Sequence, residues 1–208
     1  YGQKTPEEII ALSVKNTEFL IAQGCKMIVV ACNTATTFAI THLRNTYPDM
    51  IFVGVEPAIK VAASKSKLQR IGVLATEATL KSPLFKSTSA TLPQDITIIK
   101  QSGKGLVDLI EHGDSTKEAL HNLLTQYINA IIAAHVDCIV LGSTHYIHLI
   151  PAITEIIKDA PITLIDPRTG VTQQTALLLH KHQIATSTGK GQHYFYAPES
   201  HHTLLQRF

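Results

Sequence analysis

Met27-Ile28-Val29-Val30-Ala31-Cys32-Asn33-Thr34 and Cys138-Ile139-Val140-Leu141-Gly142-Ser143-Thr144-His145 decide the fold. Each is a short apolar run that closes on a small residue followed by a thiol or a hydroxyl. That reads as a buried strand delivering a reactive side chain at its carboxyl end. Matching segments precede the two runs. Thr5-Pro6-Glu7-Glu8 opens a helical stretch through Ile9, Leu12, Phe19 and Leu20, closed by Gly24, and Ser115-Thr116-Lys117-Glu118 opens another through Leu120, Leu123, Ile128 and Ile131. Both openings set a hydroxyl residue three positions ahead of a glutamate, the pattern of a capping box. Thr5 to Cys32 and Thr116 to Ser143 are equally spaced, with no gap. A repeated αβ unit is predicted.

Outward from these runs, strands are expected at about 28–32, 51–55, 71–75, 96–100, 139–142, 162–165 and 193–197, alternating with helices. Most are continuous apolar runs such as Ile71-Gly72-Val73-Leu74, which suit a parallel sheet covered on both faces. The fold class is therefore α/β, with two pseudo-symmetric parallel-sheet lobes facing a central cleft. The first lobe is expected to take residues 1–57 with 167–208, and the second 58–166. The least regular stretches are 56–67, 82–93 and the tail after Ala197, the first of which reads as a crossing between lobes. Parallel sheets bind ligands beyond the carboxyl ends of their strands. Cys32 and Ser143 would then approach one ligand from opposite sides.

Composition sets the outer limits. With 208 residues, 45% hydrophobic and 16% charged, the chain has enough apolar material for one large domain or two small ones. A net charge of +2 with no basic stripe gives no nucleic-acid signal. No stretch approaches the roughly 18 unbroken apolar residues of a membrane span. Three cysteines, an odd number without CxxC spacing, argue against a disulfide scaffold or zinc ribbon and for a reducing compartment. The chain opens Tyr1-Gly2 with no secretory signal, so a cytoplasmic location is expected. His180, His182, His201 and His202 have no thiol or carboxylate at ligand spacing and read as solvated surface, so no metal is expected.

A thiol can serve as a carbon base because its ordinary pKa, about 8.5, lies close to neutrality, and helix-end amides can lower it. Asn33 and Thr34 follow Cys32 at once and offer amide and hydroxyl groups to hold a carboxylate beside it. Two acid/base groups on opposite faces of a tetrahedral carbon can remove a proton from one side and deliver one from the other, inverting the centre. Each residue also has a structural reading. A strand-end cysteine often only packs, which is the reading favoured for Cys25 and Cys138. Ser143 suits a helix N-cap, His145 a hydrogen-bonded structural histidine, and Glu111 before His112-Gly113 a helix C-terminus. A Ser143–His145 hydrolase is disfavoured because there is no G-x-S-x-G elbow.

Val29-Val30-Ala31-Cys32-Asn33-Thr34-Ala35-Thr36, Val53-Gly54-Val55-Glu56-Pro57-Ala58 and Leu141-Gly142-Ser143-Thr144-His145-Tyr146 together resemble the signatures of cofactor-independent glutamate racemases, within the aspartate/glutamate racemase superfamily. Tyr1-Gly2 and Leu164-Ile165-Asp166 resemble further family segments, so the likeness runs the length of the chain. It implies that Cys32 is the first of two catalytic thiols, acting on the D-enantiomer, and that Asn33 and Thr34 bind substrate. It implies that Thr144 binds substrate and that His145 assists the second acid/base group. Tyr1, Gly2, Glu111, Thr76 and Thr79 are further substrate-site residues by the same likeness. The implied reaction interconverts L- and D-glutamate without cofactor or metal and supplies D-glutamate for peptidoglycan. The implied partner is the small-molecule substrate, and a homodimer is one option left open.

Two departures qualify the resemblance. Ser143 stands where the family has its second catalytic cysteine, and a hydroxyl is far harder to ionise than a thiol, so racemisation is expected to be impaired. The family's glycine-rich N-terminal strand and loop, with an Asp-Ser pair, would precede Tyr1, so an N-terminally truncated form is expected. Other readings are a non-catalytic amino-acid-binding or partner-binding relative, and another member of the superfamily such as an aspartate racemase or a single-thiol decarboxylase. The decarboxylases keep the thiol of the second motif, whereas this chain keeps the first.

Overall fold

The computed structural model describes residues 4–113, 117–186 and 191–197. Helix α1 (Pro6–Ala22) opens with the expected capping box: the Thr5 hydroxyl accepts from the Glu8 N–H at 3.3 Å, and the Glu8 carboxylate accepts from the Thr5 N–H at 2.8 Å. It leads to strand β1 (Met27–Val30), helix α2 (Asn33–Thr46) and strand β2 (Ile51–Gly54). β1 and β2 pair in parallel, Val30 opposite Gly54, and among the described residues form a sheet of two strands. Ile28, Ala39, Ile40, Leu43 and Phe52 make the small core between this sheet and α2.

The second sheet is larger. Helix α3 (Ile59–Lys65) precedes strand β3 (Arg70–Ala75), helices α4 (Glu77–Lys81) and α5 (Pro83–Ala90), strand β4 (Thr97–Ser102) and helices α6 (Leu106–His112) and α7 (Lys117–Ala133). Strand β5 (Cys138–Gly142), a 3-10 helix (Thr144–Leu149), helix α8 (Ile150–Ile156), strand β6 (Thr163–Ile165) and helix α9 (Arg168–Lys181) complete the order. The strands run in parallel in the order β4-β3-β5-β6. β5 is buried at every position, as its unbroken apolar run requires. Leu74, Ile139 and Leu141 face one core with α6, α7 and α8, while Ile71, Val73, Ala75 and Val140 face another with α3 and α5. The fold is thus α/β with two parallel sheets, as the sequence implied. α9 returns to pack on β2.

Two expectations need correction. Residues 193–197 form no strand; Tyr194, Phe195 and Tyr196 are exposed, with Tyr196 edge-on to Phe19 at 4.9 Å. A strand is held by ladder hydrogen bonds, and none joins this segment to a described strand. The stretches 56–67 and 82–93 are not irregular, since α3 and α5 lie within them; the Ser82 hydroxyl caps α5 through the Phe85 N–H at 3.0 Å, with Pro83 in the first turn. The second predicted cap, at Ser115 and Thr116, lies outside the described residues.

Asp137 fastens the chain where it enters the larger sheet. Its carboxylate accepts from the Ser66 hydroxyl and the Lys67 N–H, both at 2.5 Å, and from the Leu68 N–H at 2.8 Å. Burial works to raise this carboxyl, but the Ser66 bond and the backbone donors outweigh it and hold it below the usual carboxylate range. A lowered folded-state value means the contribution to stability is complete above the unfolded value, about pH 3.9, and is lost as pH falls through the lower folded value. Asp137→Ala should therefore cost about 1–3 kcal/mol in urea unfolding at pH 7. The cost should shrink below pH 4, because the unaltered protein then loses the same charge-assisted bonds.

Candidate active site

Register brings the site together. β3 pairs with β4 to Ala75 opposite Ser102 and with β5 to Ala75 opposite Gly142, so Thr76, Gly103 and Ser143 emerge side by side at one end of the larger sheet. Cys32 emerges from the corresponding end of β1. All four line a single cavity of about 640 Å³, together with Asn33, Thr34, Thr144, His145 and Glu111. Residues from the ends of both sheets therefore share one pocket.

The first side is built on α2. Cys32 is its N-cap, extended in backbone, and its sulfur accepts from the Ala35 N–H at 3.5 Å. The opening amides of this helix have no partner within it and carry the positive end of its dipole, which favours an anion in this part of the cavity. Asn33 is only 3% exposed, yet neither its amide nitrogen nor its amide oxygen has a partner. Such a buried pair costs about 1–3 kcal/mol for each group left unsatisfied. A ligand that offers both an acceptor and a donor would satisfy it. Thr36, one turn in, sets the position of this helix: its hydroxyl donates to the Val30 carbonyl at 3.1 Å and accepts from the Val55 N–H at 3.0 Å.

The second side differs. Ser143 holds the N-cap position of the 3-10 helix but makes no side-chain cap bond, so capping is not what its hydroxyl does. Pro151, without an N–H and clashing with a carbonyl four residues back, stops an α-helix from running through from Thr144. The chain turns instead as a 3-10 helix and restarts as α8 with this proline in the first turn. His145 Nε2 lies 2.8 Å from the Glu111 carboxylate, with both side chains partly open to solvent. Tyr146 is fully buried behind them, and burial pushes its phenol up, so it stays a neutral donor to the Gly103 carbonyl at 3.2 Å.

The remaining sequence-derived candidates divide between this cavity and other places. Thr76 lines the cavity and caps α4 through the Thr79 N–H at 3.3 Å. Thr79 does not line it: at 1% exposure it bonds the Thr76 hydroxyl at 2.9 Å. Tyr1 and Gly2 lie outside the described residues. Glu56 and Asp166 sit elsewhere, in a groove of about 590 Å³ where residues 56–58 and 164–167 meet. The Arg168 guanidinium, bidentate on Asp166 at 2.9 Å, holds that carboxyl below its usual range. Among the three cysteines only Cys32 lines the cavity; Cys138 is buried in the core, which pushes its thiol up. Lys4, Glu77, Lys104 and Asp108 also line it, and sequence reading did not single them out. For Lys104 the signal was present, because Gly103-Lys104-Gly105 comes after β4 as Ser143-Thr144 comes after β5.

Residues 3–175 match the family described as Asp/Glu/Hydantoin racemase. The chain belongs to that family. Among racemases of this family, the glutamate racemase of Pseudomonas syringae pv. tomato is 41% identical over 187 residues, 90% of this chain and 68% of the relative. That of Ralstonia pickettii is 45% identical over 166 residues, 80% of this chain and 58% of the relative. Among solved structures, Escherichia coli glutamate racemase in complex with L-glutamate and activator UDP-MurNAc-ala is similar with a TM-score of 0.74 at 30% identity, over 86% of this chain and 68% of that one. A glutamate racemase isoform of Bacillus anthracis, at 22% identity, shares the fold with a TM-score of 0.80 over 90% of this chain and 70% of that one.

At Thr36 the geometry of the site and the stability of the fold meet. Thr36→Val keeps the side-chain shape but leaves the Val55 N–H and the Val30 carbonyl without their partner. It should lower unfolding free energy by about 1–3 kcal/mol. Labelling of Cys32 by a thiol reagent should speed up, while labelling of buried Cys138 should stay slow. Equal labelling of Cys32 in both proteins would show that Thr36 does not position it.

Proposed function

We propose that this chain acts at the α-carbon of glutamate, with Cys32 as the base on one face and Ser143 standing on the other where a second thiol would complete a racemase. The observation that carries the reading is the single cavity shared by Cys32 and Ser143, delivered by strands of two different sheets. The unpartnered Asn33 amide supports it, since an amino acid brings a carboxylate and an ammonium that match its donor and acceptor. The first turn of α2 then favours the α-carboxylate.

In the forward step the Cys32 thiolate takes the α-proton, and the electron pair stays on the carbon, spread into the bound carboxylate. Inversion requires a proton from the opposite side, where the Ser143 hydroxyl is a weak acid and its alkoxide inaccessible as a base. Return of a proton from Cys32 regenerates the same enantiomer. The thiol exchanges its hydrogen with water in between, so the chain would label one enantiomer without interconverting the two. His145 and Glu111 are the groups on that second side that would assist proton transfer, and Thr34, Thr76 and Thr144 those that would hold substrate. The reading also divides the chain into lobes of 1–57 with 167–208 and of 58–166, which the packing of α9 on β2 and of α3 on β3 and β5 supports. A cytoplasmic role in supplying D-glutamate for peptidoglycan goes with it.

The test is proton NMR of D- and L-glutamate in deuterated water. Loss of the α-proton signal from D-glutamate alone, abolished by Cys32→Ala, is the expected result. Ser143→Cys should add exchange of L-glutamate and change in optical rotation. Saturable binding with no exchange of either enantiomer would replace the catalytic reading with that of an amino-acid-binding relative, and exchange of aspartate but not glutamate would move the substrate.

A further inference from the structure

Two tyrosines pin the turn between β4 and α6 beneath this cavity. The Tyr146 hydroxyl donates to the Gly103 carbonyl at 3.2 Å, and the Tyr127 hydroxyl to the Lys104 carbonyl at 2.9 Å. A Cβ at position 103 would lie 2.1 Å from the Tyr146 hydroxyl, so the backbone there rests directly on the ring substituent. Gly105 has a φ of +85°, the left-handed conformation that closes the turn. Lys104 is therefore the one side chain on a turn whose backbone is fixed on both sides. It lines the same cavity as Cys32 and Asn33.

Two carboxylates of the cavity wall are paired with other side chains. Glu77 pairs with Lys81 at 2.5 Å and Glu111 with His145 at 2.8 Å. Lys81 first, and Lys104 after it, hold the Glu77 carboxyl below its usual range, so the Lys104 charge is felt along this wall. Among the described residues no carboxylate lies within ion-pair distance of the Lys104 ammonium. β4 and β5 are separated by β3 alone. Two strand spacings, about 10 Å, thus separate the turn from the end of β5.

We propose that Lys104 determines specificity for an acidic side chain, pairing with the distal carboxylate of the substrate while the α-carboxylate and ammonium occupy Asn33 and the start of α2. The inference rests on the proposed function and adds the recognition of the second carboxylate. A second carboxylate placed in the cleft loses hydration and needs donors to offset it, and an ammonium brings three together with its charge. A cation on a fixed turn gains a charge-assisted bond at little ordering cost.

Titration calorimetry of the full chain with glutamate and with glutamine, each as both enantiomers, tests this. The unaltered chain should bind glutamate roughly tenfold more tightly than glutamine. Lys104→Met should bring that ratio close to one and leave glutamine affinity in place, Lys104→Arg should keep the preference, and Lys4→Met, on the other cation of the cavity, should not change it. Circular dichroism should show the same fold throughout, because the turn is held by backbone carbonyls that the substitutions retain. A glutamate-to-glutamine ratio that survives Lys104→Met would overturn the inference and leave the proposed function standing. No binding of either amino acid by the unaltered chain would overturn both.

Discussion

The Thr36 hydroxyl is the contact on which the first side of the site depends. It joins the end of β1, through the Val30 carbonyl, to the chain leaving β2, through the Val55 N–H. The two described strands have few hydrogen bonds between them and a small core. A buried hydroxyl that ties both strand ends to the opening turn of α2 fixes where the helix starts, and so fixes Cys32 and Asn33 together. Gly54 belongs to the same arrangement, because a Cβ there would lie 2.6 Å from the Thr36 methyl. The helix dipole, the thiol and the unpartnered amide share a direction because one side chain sets the start of the helix.

The second side is held differently. β5 is buried along its whole length between two neighbours, so its carboxyl end needs no staple. Pro151 shapes the chain beyond Ser143, and the resulting 3-10 helix lacks the long aligned run of peptide dipoles found in α2. The polar contribution there comes from His145 and Glu111 instead. A ligand between the two sides would meet a sulfur at the positive end of a 14-residue helix on one face. On the other it would meet a hydroxyl beside an imidazole and a carboxylate. The inequality lies in the backbone as well as in the exchange of sulfur for oxygen.

How much of this was legible from residues alone depends on the kind of signal each feature leaves. The parallel sheets and the pairing of Cys32 with Ser143 were legible because apolar runs of strand length, repeated at equal spacing, admit few other arrangements. Burial within the repeat was not. Val29 and Val140 occupy equivalent positions, yet Val29 is 39% exposed and Val140 fully buried. Among the described residues β1 has one neighbouring strand and β5 two, a difference that an apolar run does not show. The same limit explains residues 193–197, whose aromatic character suits a strand but whose ladder partner is a tertiary fact. Helices α3 and α5 were missed because their apolar positions are too few for a clear period over one or two turns. Thr79 was placed in the site by motif, while its hydroxyl serves the Thr76 cap. A Thr-x-x-Thr pattern signals helix start and ligand contact alike.

Lys104 shows how a binding group escapes sequence reading. Its place after β4 matches that of Ser143-Thr144 after β5, but a lysine between glycines ordinarily reads as a solvated loop. What gives it weight is the burial of Tyr146 and the reach of Tyr127, which hold a loop still from below. A flexible lysine on a mobile loop would lose in ordering much of what an ion pair contributes. Fixing the backbone leaves only the stem to be ordered, so a modest electrostatic gain can discriminate between a carboxylate and an amide of the same shape. The proposed chemistry at Cys32 requires that discrimination little, since α-proton abstraction depends on the carbon and its own carboxylate. Substrate choice and proton transfer are therefore separable in this cavity, the first resting on the β4–α6 turn and the second on the start of α2. A change at one should leave the other largely intact.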